Sequence, residues 1–233
     1  TTPVLKVASD VFFETLDVEI SHIDADAKIY YTVDGSTPNE SSTLYTAPFV
    51  INESADVRAV AIKDGKKSNV VEGNFKKIAA GRTVKIENRY NSQYEAGGDI
   101  ALIDFQRGSN NFRVGTWQGY HGVDLIATVD LSEVQDINRL AGSFLQDQKS
   151  WIFMPKQVEF FVSNDGKNFK SVGVVKNHIS QETEEPVMYE FSIDKKLSAR
   201  YIKMVAKKID ACPDWHVGAG EPGWIFCDEI VIE

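Results

Sequence analysis

The stretch Val158-Glu159-Phe160-Phe161-Val162-Ser163-Asn164-Asp165-Gly166 decides the fold class. Val158, Phe160 and Val162 alternate with Glu159, Phe161 and Ser163, the two-residue period of a strand with one face buried. Ser163-Asn164-Asp165-Gly166 then turns the chain, because glycine takes positive φ freely and short polar side chains bond their own backbone. Phe169, Val172 and Val174 follow on the predicted returning strand. Further out, Ile202, Met204 and Ala206 alternate with Lys203, Val205 and Lys207, and Ile230-Val231-Ile232 forms a last strand. Strands separated by turn clusters, with no helical repeat between them, predict a β-sandwich.

The N-terminal third carries the same signal. Alternation at Val18/Ile20, Ile29/Tyr31/Val33 and Val57/Ala59/Ala61 is punctuated by Asp34-Gly35 and Asp64-Gly65. No window shows a helical face, and a sandwich of about seven strands fits this length. Composition shifts near residue 78: all four Trp lie beyond it, after the polar-and-small stretch Lys76-Lys77-Ile78-Ala79-Ala80-Gly81-Arg82. The expected architecture is all-β, with two tandem β-sandwiches over residues 1–77 and 78–233.

A chain of 233 residues is about 1.5 average domains, so this division is a natural one. The net charge of −9 is shared between the two parts, and no basic stripe is present to neutralise phosphates. Nucleic acid and anionic membrane surfaces are therefore excluded as expected partners. No apolar run approaches the ~18 residues of a membrane span. The chain begins Thr1-Thr2-Pro3 without Met, and we expect an excised piece of a longer protein. Its two cysteines, Cys212 and Cys227, rule out a disulfide-dense scaffold and a cysteine-rich zinc site. Oxidised, they would close the loop around Trp215 and stabilise it by ~3 kcal/mol in the chain-entropy model. Reduced, Cys227 becomes an inert core residue, and the reading leans to free thiols.

Residues 28–49, Lys-Ile-Tyr-Tyr-Thr-Val-Asp-Gly-Ser-Thr-Pro through Leu44-Tyr45-Thr46-Ala47-Pro48-Phe49, resemble the immunoglobulin-like domain near the C-terminus of bacterial chitobiases and β-hexosaminidases. Val57-Arg58-Ala59-Val60-Ala61, Gly65 and Ser68 extend the likeness, which implies a spacer without chemistry of its own. Residues 86–233 resemble a discoidin-type (coagulation-factor C-type) jelly roll, the fold of family 32 carbohydrate-binding modules. Thr128-Val129-Asp130-Leu131, Val158 through Ser163 with Asp165-Gly166 and Phe169, Ala199-Arg200-Tyr201-Ile202 and Glu229-Ile230 carry that resemblance. Trp117-Gln118-Gly119-Tyr120 and Trp151-Ile152-Phe153-Met154-Pro155 are similar to the C-terminal end of family 20 hexosaminidases. The resemblance implies a non-catalytic, extracytoplasmic accessory fragment of a secreted β-N-acetylhexosaminidase, whose catalytic domain is a further partner. Its expected ligand is a glycan containing galactose or N-acetylhexosamine. The alternative is an architectural module that packs on the catalytic domain and binds no glycan.

Sugar rings present apolar C–H faces and a rim of hydroxyls, so a site needs exposed aromatic faces beside donors and acceptors. Two segments offer both. Trp117-Gln118-Gly119-Tyr120-His121 follows Asn110, Asn111 and Arg113, and Asp214-Trp215-His216 precedes a glycine-rich run to Trp224. Trp117, Tyr120, His121, Trp215 and His216 are the candidate carbohydrate contacts. Core packing is the competing reading, stronger for Trp117 and Trp224 beside strand-like sequence than for Trp215 beside Pro213 and glycines.

Discoidin modules often carry a structural Ca²⁺, and the resemblance places Asp104 and Glu229 at its carboxylate positions, with Thr116 and backbone oxygens completing the shell. The twelve-residue separation of Asp104 from Thr116 departs from the family pattern. In the competing reading Asp104 caps a turn and Glu229 is solvated. Gly218-Ala219-Gly220-Glu221-Pro222-Gly223 has the letter of a dinucleotide fingerprint, but only ten residues follow, too few for a helix and a second strand. Asp24-Ala25-Asp26 lacks the glycine and distal Glu of a calcium loop. No nucleophile elbow, metalloprotease motif or phosphate loop is present, so catalysis by this fragment is not expected.

Overall fold

The computed structural model describes all 233 residues, Thr1–Glu233. It holds sixteen strands, three short 3₁₀ turns and no α-helix, and hence no helix long and apolar enough to cross a membrane. The chain divides into two compact units, Thr1–Ala80 and Gly81–Glu233. The division falls three residues past the compositional shift because the Ile78 N–H donates to the Phe12 carbonyl and its side chain is buried.

The first unit comprises β1 (Val4–Lys6), β2 (Val11–Phe12), β3 (Leu16–Ser21), β4 (Lys28–Thr32), β5 (Thr43–Leu44), β6 (Phe49–Ile51), β7 (Ala55–Lys63), β8 (Lys66–Lys67) and β9 (Val71–Lys77). One sheet runs β1-β3-β6, and the other runs β2-β9-β7-β4-β5 with β8 paired to β7. Leu16, Val18 and Ile20 of β3 and Val57, Ala59 and Ala61 of β7 enter one core with Ile29 and Phe75. Val33 lies past the end of β4 and is exposed, a departure from the sequence pattern. The Asp24 turn is held by the Lys63 ammonium, 2.8 Å from Asp24 Oδ2.

The second unit comprises β10 (Thr83–Ile86), β11 (Gln118–His121), β12 (Leu125–Gln146), β13 (Gln157–Ser163), β14 (Lys170–Lys176), β15 (Val187–Lys207) and β16 (Trp224–Ile232). Its sheet runs β11-β16-β12-β15-β13-β14, with β10 also on β12. The long strands β12 and β15 pair antiparallel, and the register breaks between Asp130 and Gln135. Before the break β12 pairs with β10 and with Tyr201–Ala206; beyond it β12 pairs with β16 and with Val187–Ala199. The sheet thus turns into two facing layers around Leu125, Val129, Leu140, Phe144, Phe160, Phe191 and Met204.

Arg200 clamps the corner. Its Nε and Nη2 donate to Asp130 Oδ1 and Oδ2 at 2.8 and 3.0 Å, and this pairing holds the Asp130 carboxyl below its usual range. Ser132, at φ 71°, donates its N–H to the same carboxylate. The Arg200 N–H donates to Asn164 Oδ1, which ties the corner to the turn after β13. Within that turn Asp165 Oδ1 accepts from the Lys167 and Asn168 N–H groups, and Gly166 adopts φ 68° against the Tyr201 ring. Val158 and Phe160 are buried as their alternation requires. The returning strand differs: a register shift at Phe160/Phe161 leaves Val172 as an extra residue on β14. Val172 and Val175 therefore pack on the core, while Val174 turns outward.

Truncating the buried ring in Phe144→Ala should cost about 3–5 kcal/mol in urea unfolding, through lost transfer energy and the cavity left behind. Val174→Ala, on the same unit, should stay within about 0.5 kcal/mol.

Candidate functional site

Strand ends gather the loops of the second unit at one end. His121 pairs with Trp224, the Phe153 N–H donates to the Trp224 carbonyl, and the Gly122 N–H donates to the Gly223 carbonyl. The Lys156 N–H donates to the Lys207 carbonyl, which brings the loop after Lys207 to the same rim. Segments 87–117, 122–124, 147–156 and 208–223 therefore border one surface.

Within it, the Ala211–Glu221 loop is closed by its own backbone. The Cys212 N–H donates to Glu221 O and the Gly220 N–H to Cys212 O, so a glycine-rich turn stands where the dinucleotide letters occur. Gly218 lies on the Trp151 ring, where an added Cβ would come within 2.5 Å of it, so that glycine serves packing. Cys212 and Cys227 are unbridged and buried. Burial pushes the Cys227 thiol upward, as expected of an inert core thiol.

His216 is the peg of this loop. It is buried, its Nδ1 accepts the Gly218 N–H at 3.0 Å, and Nε2 lies 2.7 Å from the Gln148 carbonyl, to which it donates as the N–H tautomer. Its ring also packs edge-on against Trp151 and Phe153. Both nitrogens are engaged, which corrects the expectation that His216 donates to a sugar. Trp215 beside it stays 46% exposed, with Val217 also exposed.

Trp117 and Tyr120 correct the reading in the same sense. The Trp117 ring is 1% exposed and its Nε1–H donates to the Ser109 carbonyl, while Tyr120 is fully buried with its hydroxyl donating to Gln118 Oε1. These rings face the core because Trp117 fills the space beside Gly108 and Tyr120 points inward from β11. His121 is exposed, stacks on Trp224 at 4.5 Å between centroids, and places Nε2 3.2 Å from the Pro222 carbonyl. Of the five candidates, only His121 and Trp215 face solvent. Sequence reasoning assigned no role to Tyr94, which packs against Phe112 and Trp224, nor to Phe112, which carries the Arg113 guanidinium 4.2 Å above its ring. Their loop positions gave no periodic signal.

Asp104, Thr116 and Glu229 lie in and beside the loop that precedes β11. Asp104 ends the Asp99–Ile103 turn, and its Oδ1 accepts the Gln106 N–H at 2.8 Å, as a turn cap does. Glu229 is 3% exposed, contrary to the solvated reading, and its Oε2 accepts the Phe105 N–H at 3.0 Å. A register shift between Ser143 and Phe144 leaves Asp228 as an extra residue on β16. The consecutive carboxylates consequently serve one loop, Asp228 Oδ2 accepting the Gly108 N–H at 2.6 Å. Burial, with Asp104 adding repulsion, pushes Glu229 up to about 9; burial likewise raises Asp104 to about 6. The Thr116 hydroxyl is buried without a hydrogen-bond partner. Repelling carboxylates and an orphan hydroxyl are a donor set that fits a hard cation. No group of three or more His, Cys, Asp or Glu placed to hold a metal ion is present, so main-chain oxygens must complete any such shell.

Residues 86–224 match the family described as F5/8 type C domain, and residues 18–75 match the family described as Fn3 associated. The F5/8 type C match spans more than half of the chain, and the chain belongs to that family. Both units correspond to non-catalytic modules. No curated protein matches the chain. Among solved structures, it is similar to CBM32-1 from a family 31 glycoside hydrolase of Clostridium perfringens, at 15% identity over 66% of this chain and 94% of that one, with a TM-score of 0.42. It is also similar to the C-terminal domain of a chitobiase from Bacteroides fragilis, at 20% identity over 65% and 93%, with a TM-score of 0.37. A third is a CBM32 of Clostridium perfringens in complex with GalNAc-β-1,3-galactose, at 16% identity over 65% and 94%, with a TM-score of 0.40.

His216→Ala should loosen the 211–221 loop, lowering Tm and opening the loop to limited proteolysis. Trp215→Ala should leave both unchanged, its stability effect within about 0.5 kcal/mol.

Proposed function

We propose that the second unit is a glycan-binding module, using the exposed Trp215 ring as the platform and His121 as a polar contact. The observation that carries the reading is the arrangement of the 211–221 loop. A large ring is held half in solvent by a neighbour, His216, whose nitrogens are both bound. A platform fixed before binding loses little conformational entropy when a sugar stacks on it. Galactose or N-acetylhexosamine is the sugar class this reading takes, from the sequence resemblance. The first unit serves as a spacer, and the whole is an extracytoplasmic accessory region of a glycoside hydrolase of β-N-acetylhexosaminidase type, whose catalytic domain is a partner.

Calcium belongs to the same proposal. Asp104, Glu229 and Thr116 would hold it with main-chain oxygens, and it would neutralise the two carboxylates that brace the loop before β11. Exposure of Val217 beside Trp215 favours a second reading, in which this apolar tip packs on another protein domain and no sugar is bound.

Calorimetric titration with galactose- and N-acetylhexosamine-terminated oligosaccharides decides between them. Trp215→Ala should weaken binding at least about tenfold, the loss of ~1.4 kcal/mol of contact. A folded protein that binds none of these sugars would support the packing reading instead. Calcium should raise Tm and EDTA should reverse it. Glu229 has a raised folded pKa, so without metal its share of stability is full below the ordinary carboxylate range and is lost as pH rises towards about 9. Calcium should therefore bind more tightly, and stabilise more, as pH increases from 6 to 9; a melting temperature indifferent to calcium across that range would contradict the site.

A further inference from the structure

A second groove opens on the loop end, and no residue of the 211–221 loop lines it. It measures about 460 Å³ and is walled by the Ser92–Gly97 segment on one side and by Phe112, Arg113, Gly115 and Trp117 on the other. Its walls are fixed. Tyr94 lies in an aromatic cluster with Phe112, Trp224 and Phe226. The Glu95 carbonyl accepts from the Gly98 N–H, and the Asn111 side chain accepts from the Arg113 N–H. Three successive residues, Ala96, Gly97 and Gly98, hold φ of 49°, 93° and 107°. For Ala96 that conformation is costly, and such strain persists only where the surroundings enforce it.

Arg113 is the chemically distinctive member. Most arginines of this unit are neutralised: Arg89 by Asp99, Arg107 and Arg139 by Glu190, and Arg200 by Asp130. Arg113 has no carboxylate within ion-pair distance, although Glu95 lines the same groove. Its guanidinium lies instead flat over the Phe112 ring, which fixes the plane of the fork and leaves its N–H edges unpaired. A planar fork with free edges matches a carboxylate bidentately. Beside it, Tyr94 and Phe112 offer apolar surface, and Ser92, Gln93 and Glu95 offer groups for hydroxyls.

From this juxtaposition we propose that the groove is a separate subsite for a sugar bearing a carboxylate, with Arg113 gripping the acid group. A uronic acid and a sialic acid share that chemistry. The site does not use Trp215, so it stands or falls independently of the proposed platform.

The test is a calorimetric titration of the whole chain with a trigalacturonide, its methyl ester, and 3′-sialyllactose. The acid form of at least one should bind, with affinity falling as salt is raised. Esterification, or Arg113→Gln, should weaken it about 10–100-fold, the range for a charge-assisted contact. Arg113→Lys should recover part of the loss, because the charge returns without the fork. Trp215→Ala should leave acidic-sugar binding unchanged. Arg113 is exposed, and an unaltered Tm for each variant will show that the fold is intact. Preference for one acid over the other identifies the source. The proposal is overturned if neither acid binds, or if binding is indifferent to esterification or to Arg113→Gln.

Discussion

The second unit rests on the pairing of two strands that are each more than twenty residues long and bend together. Because β12 and β15 stay partnered on both sides of the Asp130–Gln135 break, one hydrogen-bonded sheet supplies both layers of the sandwich. The corner is where that arrangement is most exposed to strain, and there the Arg200–Asp130 fork, the Ser132 backbone and the Asn164 side chain converge. Everything at the opposite end follows from where these strands stop. With β12 starting at Leu125 and β15 ending at Lys207, the loops before and after them meet on one rim together with the start of β16.

A second, smaller constraint shapes the rim itself. The extra residue at Asp228 lets two neighbouring carboxylates brace the segment Phe105–Gly108, and Trp117 then packs against Gly108. A carboxylate pair of this kind is costly to bury, which is why its electrostatics point to a cation while its hydrogen bonds alone describe a loop clamp. The aromatic residues divide between the two tasks. Trp117 and Tyr120 stabilise the scaffold, whereas Trp215 is held outward by a histidine that is itself structural.

Much of the fold was legible in the sequence because buried strands announce themselves by period. Val158 and Phe160 are buried as read, and the segments around Asp130 and Arg200 that carried the family resemblance are the two halves of the corner. Period fails where a register shift inserts a residue. Val174 and Asp228 both lie beside such shifts, and neither the outward turn of the one nor the loop clamp of the other has a local signature. Site reading failed for a different reason. An aromatic residue beside a histidine looks the same whether it faces water or core, and only tertiary packing separates Trp117 from Trp215 or His216 from His121. The groove at Arg113 was equally invisible, since a cation without a counter-charge is defined by what the other loops do not place near it.

The central claim is that this rim recognises sugar through a pre-set Trp215. Backbone and indole NMR spectra, recorded during titration with a galactose- or N-acetylhexosamine-terminated oligosaccharide, test it most directly. The account predicts saturable shifts concentrated on the Trp215 indole, His121 and the 211–221 backbone, with the buried Trp117 indole unmoved. Shifts confined to another face, or none at millimolar sugar in the folded protein, would contradict it.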